Sequence, residues 1–260
     1  MSDYQMRFGG IERLYGKNGA HAIANSHFCV VGIGGVGSWA AEALARTGVG
    51  KITLIDLDDI CTTNTNRQIH AMTSTVGLSK VDVMAERIKL INPECDVVLI
   101  EDFVTSDNLP ELMAQDFSYV IDAIDSVKIK TQMIAHCKRN KIPFITIGGA
   151  GGQTDPSQIK LTDLSQTYQD PLLSKVRNQL RRDFNFSRNT KRKFGVDAVF
   201  STEQLKYPDG SGEVCHAKQS PDGAMRLDCS GGFGAATHVT ATFAFFAVSK
   251  ALEKLVRKAS

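Results

Sequence analysis

Residues 28–59, FCVVGIGGVGSWAAEALARTGVGKITLIDLDD, constrain the fold of this chain more than any other stretch. Residues 28–31 are apolar and read as a buried strand. The turn Gly32-Ile33-Gly34-Gly35-Val36-Gly37 follows at once, then an apolar-faced helix over 38–46 that ends near Gly48. A second strand over 52–55 stops at Asp56, an acid about 20 residues beyond the turn, which is the order of a dinucleotide fold. Glycines let a phosphate approach the backbone, the helix N-terminus offers it unpaired N–H groups, and the carboxylate accepts from a ribose hydroxyl. The competing interpretation is a tight glycine turn that only packs helix on strand.

The chain has 260 residues, enough for one large α/β domain or for a domain with an elaborated second half. The expected organisation is a single domain, with an arm over 1–27, a nucleotide-binding core over 28–155 and a substrate-facing half over 156–260. A formal net charge of +2 excludes nucleic-acid binding by bulk charge alone. No two of the six cysteines form a CxxC pair and several fall in apparent core elements. With no signal-like opening, this favours reduced thiols and a cytoplasmic protein.

Taken in order, the arm offers a helical segment over 7–16 with two arginines and a short helix over 20–25. Beyond Asp56 lies a polar loop. Lys80 then opens a helix whose apolar positions Val81, Met84, Ala85, Ile88 and Ile91 share a face, and Asn92-Pro93 stops it. Strands are expected over 97–100, 119–121 and 143–147, helices over 108–114 and 129–140, and a glycine turn over 148–152. Strands alternating with helices imply a mostly parallel Rossmann-like sheet with helices on both faces and ligands at the carboxyl ends of the strands.

The second half reads differently. Strands are expected over 158–161 and 196–200, a turn over 207–212, and a closing helix over 235–256. Its most apolar run is about 15 residues, short of the roughly 20 a bilayer requires, so membrane insertion is not expected. Between the two strands stand Lys175, Arg177, Arg181, Arg182, Arg188, Lys191, Arg192 and Lys193, with Asp183 the one acid among them. Eight cations against one carboxylate give this segment +7 and leave −5 for the rest of the chain. Such a run is either a solvated loop or the footprint of a polyanion.

The polar residues after the turn suggest phosphoryl or nucleotidyl chemistry rather than hydride transfer. Asn64, Arg67 and Lys80 can converge on phosphates, and Asp125 is placed to hold Mg²⁺, although it could equally cap the helix that follows. A carboxylate attacking the α-phosphate of ATP meets like charge, and pyrophosphate must leave; cations offset both. Cys215 and Cys229 are possible thiol nucleophiles, with a buried or idle thiol the commoner role. His216 and His238 lack metal-ligand spacing and read as structural.

GIGGVGS at 32–38, DLDDI at 56–60, NTNRQ at 64–68, GLSKV at 77–81, INP at 91–93 and DAIDS at 122–126 together resemble the E1-like activating-enzyme superfamily, the MoeB, ThiF and ubiquitin-activating group. The resemblance covers residues 7 to about 155 and implies ATP-dependent adenylation of a carboxylate in a homodimer. By motif, Gly32, Gly34, Gly35, Gly37 and Asp56 would hold adenosine and ribose, and Asn64, Arg67 and Lys80 the phosphates. Asp58, Gln68, Asp122 and Ser126 belong to the same nucleotide-binding set. Asp125 would bind Mg²⁺, and the catalytic set is Arg67, Lys80 and Asp125. The resemblance also implies an arginine from the partner subunit. Gly10 stands where the family has the second of two arginines, leaving Arg7 and Arg13 as alternatives.

QDPL at 169–172, GVDAVFSTE at 195–203 and SGGFGAATHVTATF at 230–243 resemble one branch, the tRNA threonylcarbamoyladenosine dehydratases. The implied reaction is ATP-dependent cyclisation of N6-threonylcarbamoyladenosine beside the anticodon, by adenylation of its carboxylate. The implied partner is tRNA bearing that nucleoside, bound through the eight basic residues of the +7 segment. The branch is also associated with a cysteine desulfurase system. The alternative is activation of the C-terminal glycine of a small sulfur-carrier protein. Such enzymes commonly hold a structural zinc between two CxxC pairs, which this sequence lacks, so no zinc is expected. A non-catalytic RNA-binding module is a further alternative.

Overall fold

The computed structural model describes residues 2–209, 211–216 and 233–259. The N-terminal helix α1 (Asp3–Ala24) is capped by Ser2 and Gln5 acting reciprocally, and is broken at Gly16, where φ is 73°. The two helical segments expected of the arm are therefore present, the first beginning earlier than its sequence suggested.

Strand β1 (His27–Val31) leads through the glycine turn to α2 (Gly37–Arg46) and β2 (Lys51–Ile55), as the opening motif requires. Next come α3 (Lys80–Ile91), β3 (Asp96–Ile100), the short α4 (Leu109–Leu112), β4 (Tyr119–Asp122), α5 (Val127–Arg139) and β5 (Phe144–Ile147). The second half contributes β6 (Ile159–Asp163), α6 (Pro171–Asp183), β7 (Asp197–Ser201), the two-residue strands β8 (Tyr207–Pro208) and β9 (Val214–Cys215), and α7 (Thr237–Ala259).

Seven strands form one sheet in the order β3-β2-β1-β4-β5-β7-β6, and β6 alone runs antiparallel, against β7. Strand alternation divides the core. Phe28 and Val30 of β1 face a layer built from α2, α3 and α7, whereas Cys29 and Val31 face one built from α5 and α6. Both faces are covered, which is why the central strands are apolar on both sides. Phe243 of α7 is fully buried among Leu44, Ile145 and Val199; truncation to Ala there costs about 3–5 kcal/mol.

Helix α6 was not expected from the sequence. Asp170 caps it by accepting from Leu173 N at 2.8 Å, Pro171 occupies its first turn, and Leu173, Val176 and Leu180 are fully buried. The first part of the basic segment is therefore helical and packs against α5 by its apolar side. Among the described residues no helix is long and apolar enough to cross a membrane.

Candidate active site

A cleft of about 650 Å³ opens at the carboxyl ends of β1, β2, β4 and β5. β1 feeds a helix on one face and β4 a helix on the other, so the cleft lies at the switch point where such sheets bind nucleotides. Its floor is the glycine turn. Gly32 adopts φ 86°, and a Cβ on Gly37 would stand 1.7 Å from the Gly32 carbonyl oxygen, so any side chain there breaks the turn. Gly34 and Gly35 line the cleft, and a Cβ at Gly35 would press within 3.2 Å of Arg67 Cγ.

Asp56 is bound into this floor. Its Oδ2 accepts from Ile33 N at 2.5 Å and its Oδ1 from Asp58 N at 2.9 Å, fixing the end of β2 to the turn. A carboxylate has acceptor capacity left after two bonds, so a ribose hydroxyl is still accommodated. Lys80 is nearly buried, with Nζ 2.7 Å from Asp58 Oδ2 and 4.0 Å from Asp56 Oδ1. A cation in the first turn of a helix opposes the helix dipole; the two acids hold it there, facing the cleft.

Arg67 donates through Nη1 to the Thr63 carbonyl at 2.9 Å and to Asn66 Oδ1 at 3.0 Å. Asn64 Oδ1 accepts from Cys61 N at 3.0 Å and shapes the same loop. Gln68 is buried at the cleft wall beside Gly34, and its Oε1 has no hydrogen-bond partner among the described residues. Asp125 and Ser126 stand on the opposite wall. Ser126, not Asp125, caps α5, and it does so without a side-chain bond. Asp125 is exposed and has no hydrogen bond or ion pair among the described residues.

Asp122 departs from its expected place. It lies beneath the floor and is fully buried, with Oδ2 2.7 Å from Lys130 Nζ and 2.7 Å from Thr146 Oγ1. Its Oδ1 accepts from Ile124 N at 3.3 Å, so it braces the loop that carries Asp125 instead of touching a nucleotide.

The basic segment is divided by the fold. Lys175 is exposed one turn along α6 from Leu172, which lines the cleft. Arg177 is half-buried on Thr167 Oγ1, Arg181 stacks 5.3 Å from the centre of the Phe194 ring, and Arg182 pairs with Asp183 at 2.7 Å. Arg188, Lys191, Arg192 and Lys193 are exposed in the loop ahead of β7, at the edge of the sheet away from the cleft.

Three supporting residues carry no sequence signal of their own, and a fourth, Asp170, lies in the QDPL motif. His70 is buried and donates through Nε2 to the Ile33 carbonyl at 2.8 Å, and its burial lowers its pKa. Trp39 Nε1 donates to the Arg67 carbonyl at 3.0 Å. Phe103 stands half-exposed at the cleft rim. Asp170 accepts from Gly149 N at 3.0 Å as well as capping α6, and thereby ties that helix to the cleft wall; burial raises its pKa against the pull of these bonds and of Lys130. His238 meets the Thr154 carbonyl and His216 that of Leu205. Cys215 is half-buried in β9, while Cys229 lies outside the described residues.

The residues present fit ATP with Mg²⁺. Cationic groups stand on one wall, an uncommitted carboxylate on the other, and a glycine cradle below. Mg²⁺ is ordinarily held by one or two carboxylates plus phosphate oxygens, so one such acid is enough. Among the described residues no group of three or more His, Cys, Asp or Glu side chains comes together to hold a metal by itself.

Fold and cleft thus define a nucleotide-binding enzyme of the Rossmann-like, E1-like class. The sequence pattern of the ThiF family matches residues 9–259, and the chain belongs to that family. It is 61% identical over 257 residues to the tRNA threonylcarbamoyladenosine dehydratase of Escherichia coli (strain K12), covering 99% of this chain and 96% of that protein. It is 56% identical over 260 residues to the Haemophilus influenzae protein of the same name, covering all of this chain and 97% of the relative. The crystal structure of E. coli tRNA N6-threonylcarbamoyladenosine dehydratase in complex with ATP superposes with a TM-score of 0.88 at 58% identity, covering 99% of this chain and 97% of that one.

Proposed function

We propose that this protein is an ATP-dependent tRNA-modifying enzyme that cyclises N6-threonylcarbamoyladenosine by adenylating its carboxylate. One observation carries the reading: Arg67 and Lys80 face the uncommitted carboxylate of Asp125 across the glycine turn, in a cleft whose rim is the start of the basic helix α6. High identity to dehydratases along nearly the whole chain supports the same substrate.

Gly32, Gly34 and Gly35 receive the phosphates against the backbone, and Asp56 takes the ribose. The substrate carboxylate oxygen attacks the α-phosphorus, and the bond to pyrophosphate breaks. Arg67 and Lys80 stabilise the negative charge gathered there, and Asn64 and Gln68 hold the phosphates in line. Asp125 would hold Mg²⁺, which would supply screening of the phosphate charge. A nucleophilic group of the threonylcarbamoyl side chain then attacks the acyl carbon. AMP leaves with the former carboxylate oxygen, the nucleophile loses its proton, and one water is lost overall. Lys80 is already set by Asp58, so this arrangement costs little reorganisation on binding.

Incubation with ATP, Mg²⁺ and tRNA bearing the threonylcarbamoyl group, followed by nucleoside mass spectrometry, tests the reading. The expected product is lighter by one water, forms only with ATP present, and accumulates about 10²–10³-fold more slowly with Lys80→Ala. An unchanged nucleoside in the parent reaction would overturn it.

We further propose a homodimer in which Arg13 or Arg7 reaches the partner's cleft. Arg13 is exposed without an ion pair among the described residues, whereas Arg7 pairs with Asp3 at 2.7 Å. Leu14, Leu78 and Phe245 leave large apolar area exposed, as an interface requires. A cytoplasmic location is inferred from the reduced thiols that the cysteine pattern favours, and an association with a cysteine desulfurase system from the sequence resemblance. Light scattering tests the first proposal, fractionation the second, and binding to a purified desulfurase the third.

A further inference from the structure

A second cavity, of about 390 Å³, opens at the opposite edge of the sheet, where β4 and β5 begin and the chain enters β7. Its floor is apolar, while its lining includes Lys138, Lys141, Lys254, Arg257 and Lys258 and no Asp or Glu. Two of these cations are committed: Lys138 donates to the Gly195 carbonyl at 3.2 Å, and Lys254 pairs with Asp197. Lys141, Arg257 and Lys258 have no hydrogen bond or ion pair among the described residues; Glu253, one turn back on α7 from Arg257, is paired with Lys250 at 2.8 Å.

Helices α5 and α7 both end here, and a cation in a last turn complements the helix dipole. That accounts for one charge at each helix end, not for five at one mouth. Lys141 also lies beyond α5 at φ 58°, a backbone region that glycine or asparagine fills more readily.

The patch is continuous with the exposed end of the basic segment. Gly195 and Val196 of its lining are separated from Lys191, Arg192 and Lys193 by Phe194 alone. From there α6 leads back to Leu172 at the ATP cleft, a distance of about 20 Å for a helix of this length. Cations therefore extend from the cleft mouth at Lys175 to the far edge of the sheet. So many uncompensated charges repel one another in the absence of a partner, and a polyanion relieves that repulsion.

We propose that Lys141, Arg257 and Lys258, together with the loop over 188–193, bind the phosphate backbone of the RNA whose modified nucleoside occupies the ATP cleft. The proposal rests on the function proposed above and adds a second RNA contact, remote from the chemistry. Such contacts set the register and orientation of the RNA without reading its sequence. A small anion has no use for cations spread along the length of a helix; a nucleic-acid backbone spans them.

The test uses the full chain carrying Lys141→Gln, Arg257→Gln and Lys258→Gln together, with an unmodified tRNA transcript titrated across a range of salt. The expected result is an affinity about tenfold weaker near physiological salt and a log–log salt slope shallower by about 2–3, with ATP affinity unchanged. The single variant Lys141→Gln, expected to lose about one third of the slope change, serves if the triple variant folds poorly. Unchanged affinity and slope would overturn the proposal. Because the transcript carries no threonylcarbamoyl group, binding is read apart from catalysis. Loss of RNA affinity beside a failed cyclisation would sink the proposed reaction and keep the patch. Normal cyclisation with unaltered binding by the variants would sink the patch alone.

Discussion

Lys130 Nζ lies 2.7 Å from Asp122 Oδ2, and neither side chain has any solvent exposure. Thr146 Oγ1 completes the set, so the charge pair is hydrogen-bonded as well as paired. Removing one partner leaves the other charge buried and uncompensated, at a cost of about 3–5 kcal/mol. Lys130→Met is therefore expected to lower the urea midpoint sharply, and Lys130→Met with Asp122→Leu to recover much of the loss. A double variant as unstable as the single would show that the pair is not the source.

Lys80 is held by one exposed acid and one already hydrogen-bonded, so its loss leaves no isolated buried charge. Lys80→Ala is expected to lower turnover about 10²–10³-fold, the scale for removing one charge-stabilising group, while unfolding at nearly the parent temperature. Comparable losses of stability and turnover would make Lys80 a structural residue.

The pH dependence of stability carries a signature of Asp170. Burial holds this carboxyl above the ordinary carboxylate range, so the folded chain retains a proton that the unfolded chain has lost. Its contribution is thus fully present below the ordinary carboxylate pKa and is lost as pH rises through the raised value. Asp170→Asn keeps an acceptor for the α6 cap and removes the titration. Denaturation of both proteins across pH should show the variant gaining on the parent as pH rises; a constant difference would contradict this assignment.

Within the basic segment, stability and RNA binding separate by burial. Arg181 stacks on Phe194 and is half-buried, whereas Arg188 is exposed. Arg181→Ala is expected to cost about 0.5–2 kcal/mol of folding stability. Arg188→Ala should leave stability unchanged and flatten the salt dependence of tRNA binding by about one phosphate contact. The reverse assignment in melting and binding curves would refute the division.

Much of this was written in local pattern. The run from Phe28 to Asp56 specifies strand, turn, helix and strand because only glycine fits the positive φ of Gly32 and the close backbone approach at Gly37. Lys80, Arg67 and Asp125 stand out in the sequence only as a joint pattern, since each charge taken alone fits a solvated side chain or a helix cap, and the structure places all three on the lining of one cleft. Asp122 was misplaced because its burial depends on Lys130 and Thr146, partners supplied by a later helix and strand. Helix α6 is masked in the sequence because its charges outnumber its apolar positions, although Asp170, Pro171 and the spacing of Leu173, Val176 and Leu180 mark it. The contact of His70 with the Ile33 carbonyl and that of Asp170 with Gly149 N join groups distant in sequence, which no local pattern records.

The central claim is that the cleft couples the substrate carboxylate to AMP. Substrate tRNA labelled with heavy oxygen in the threonyl carboxylate, turned over with ATP and analysed by mass spectrometry, reads this directly. Adenylation predicts one heavy oxygen in the AMP released and none in pyrophosphate. Label in inorganic phosphate with ADP as the other product, or a cyclised nucleoside with unlabelled AMP, would contradict it.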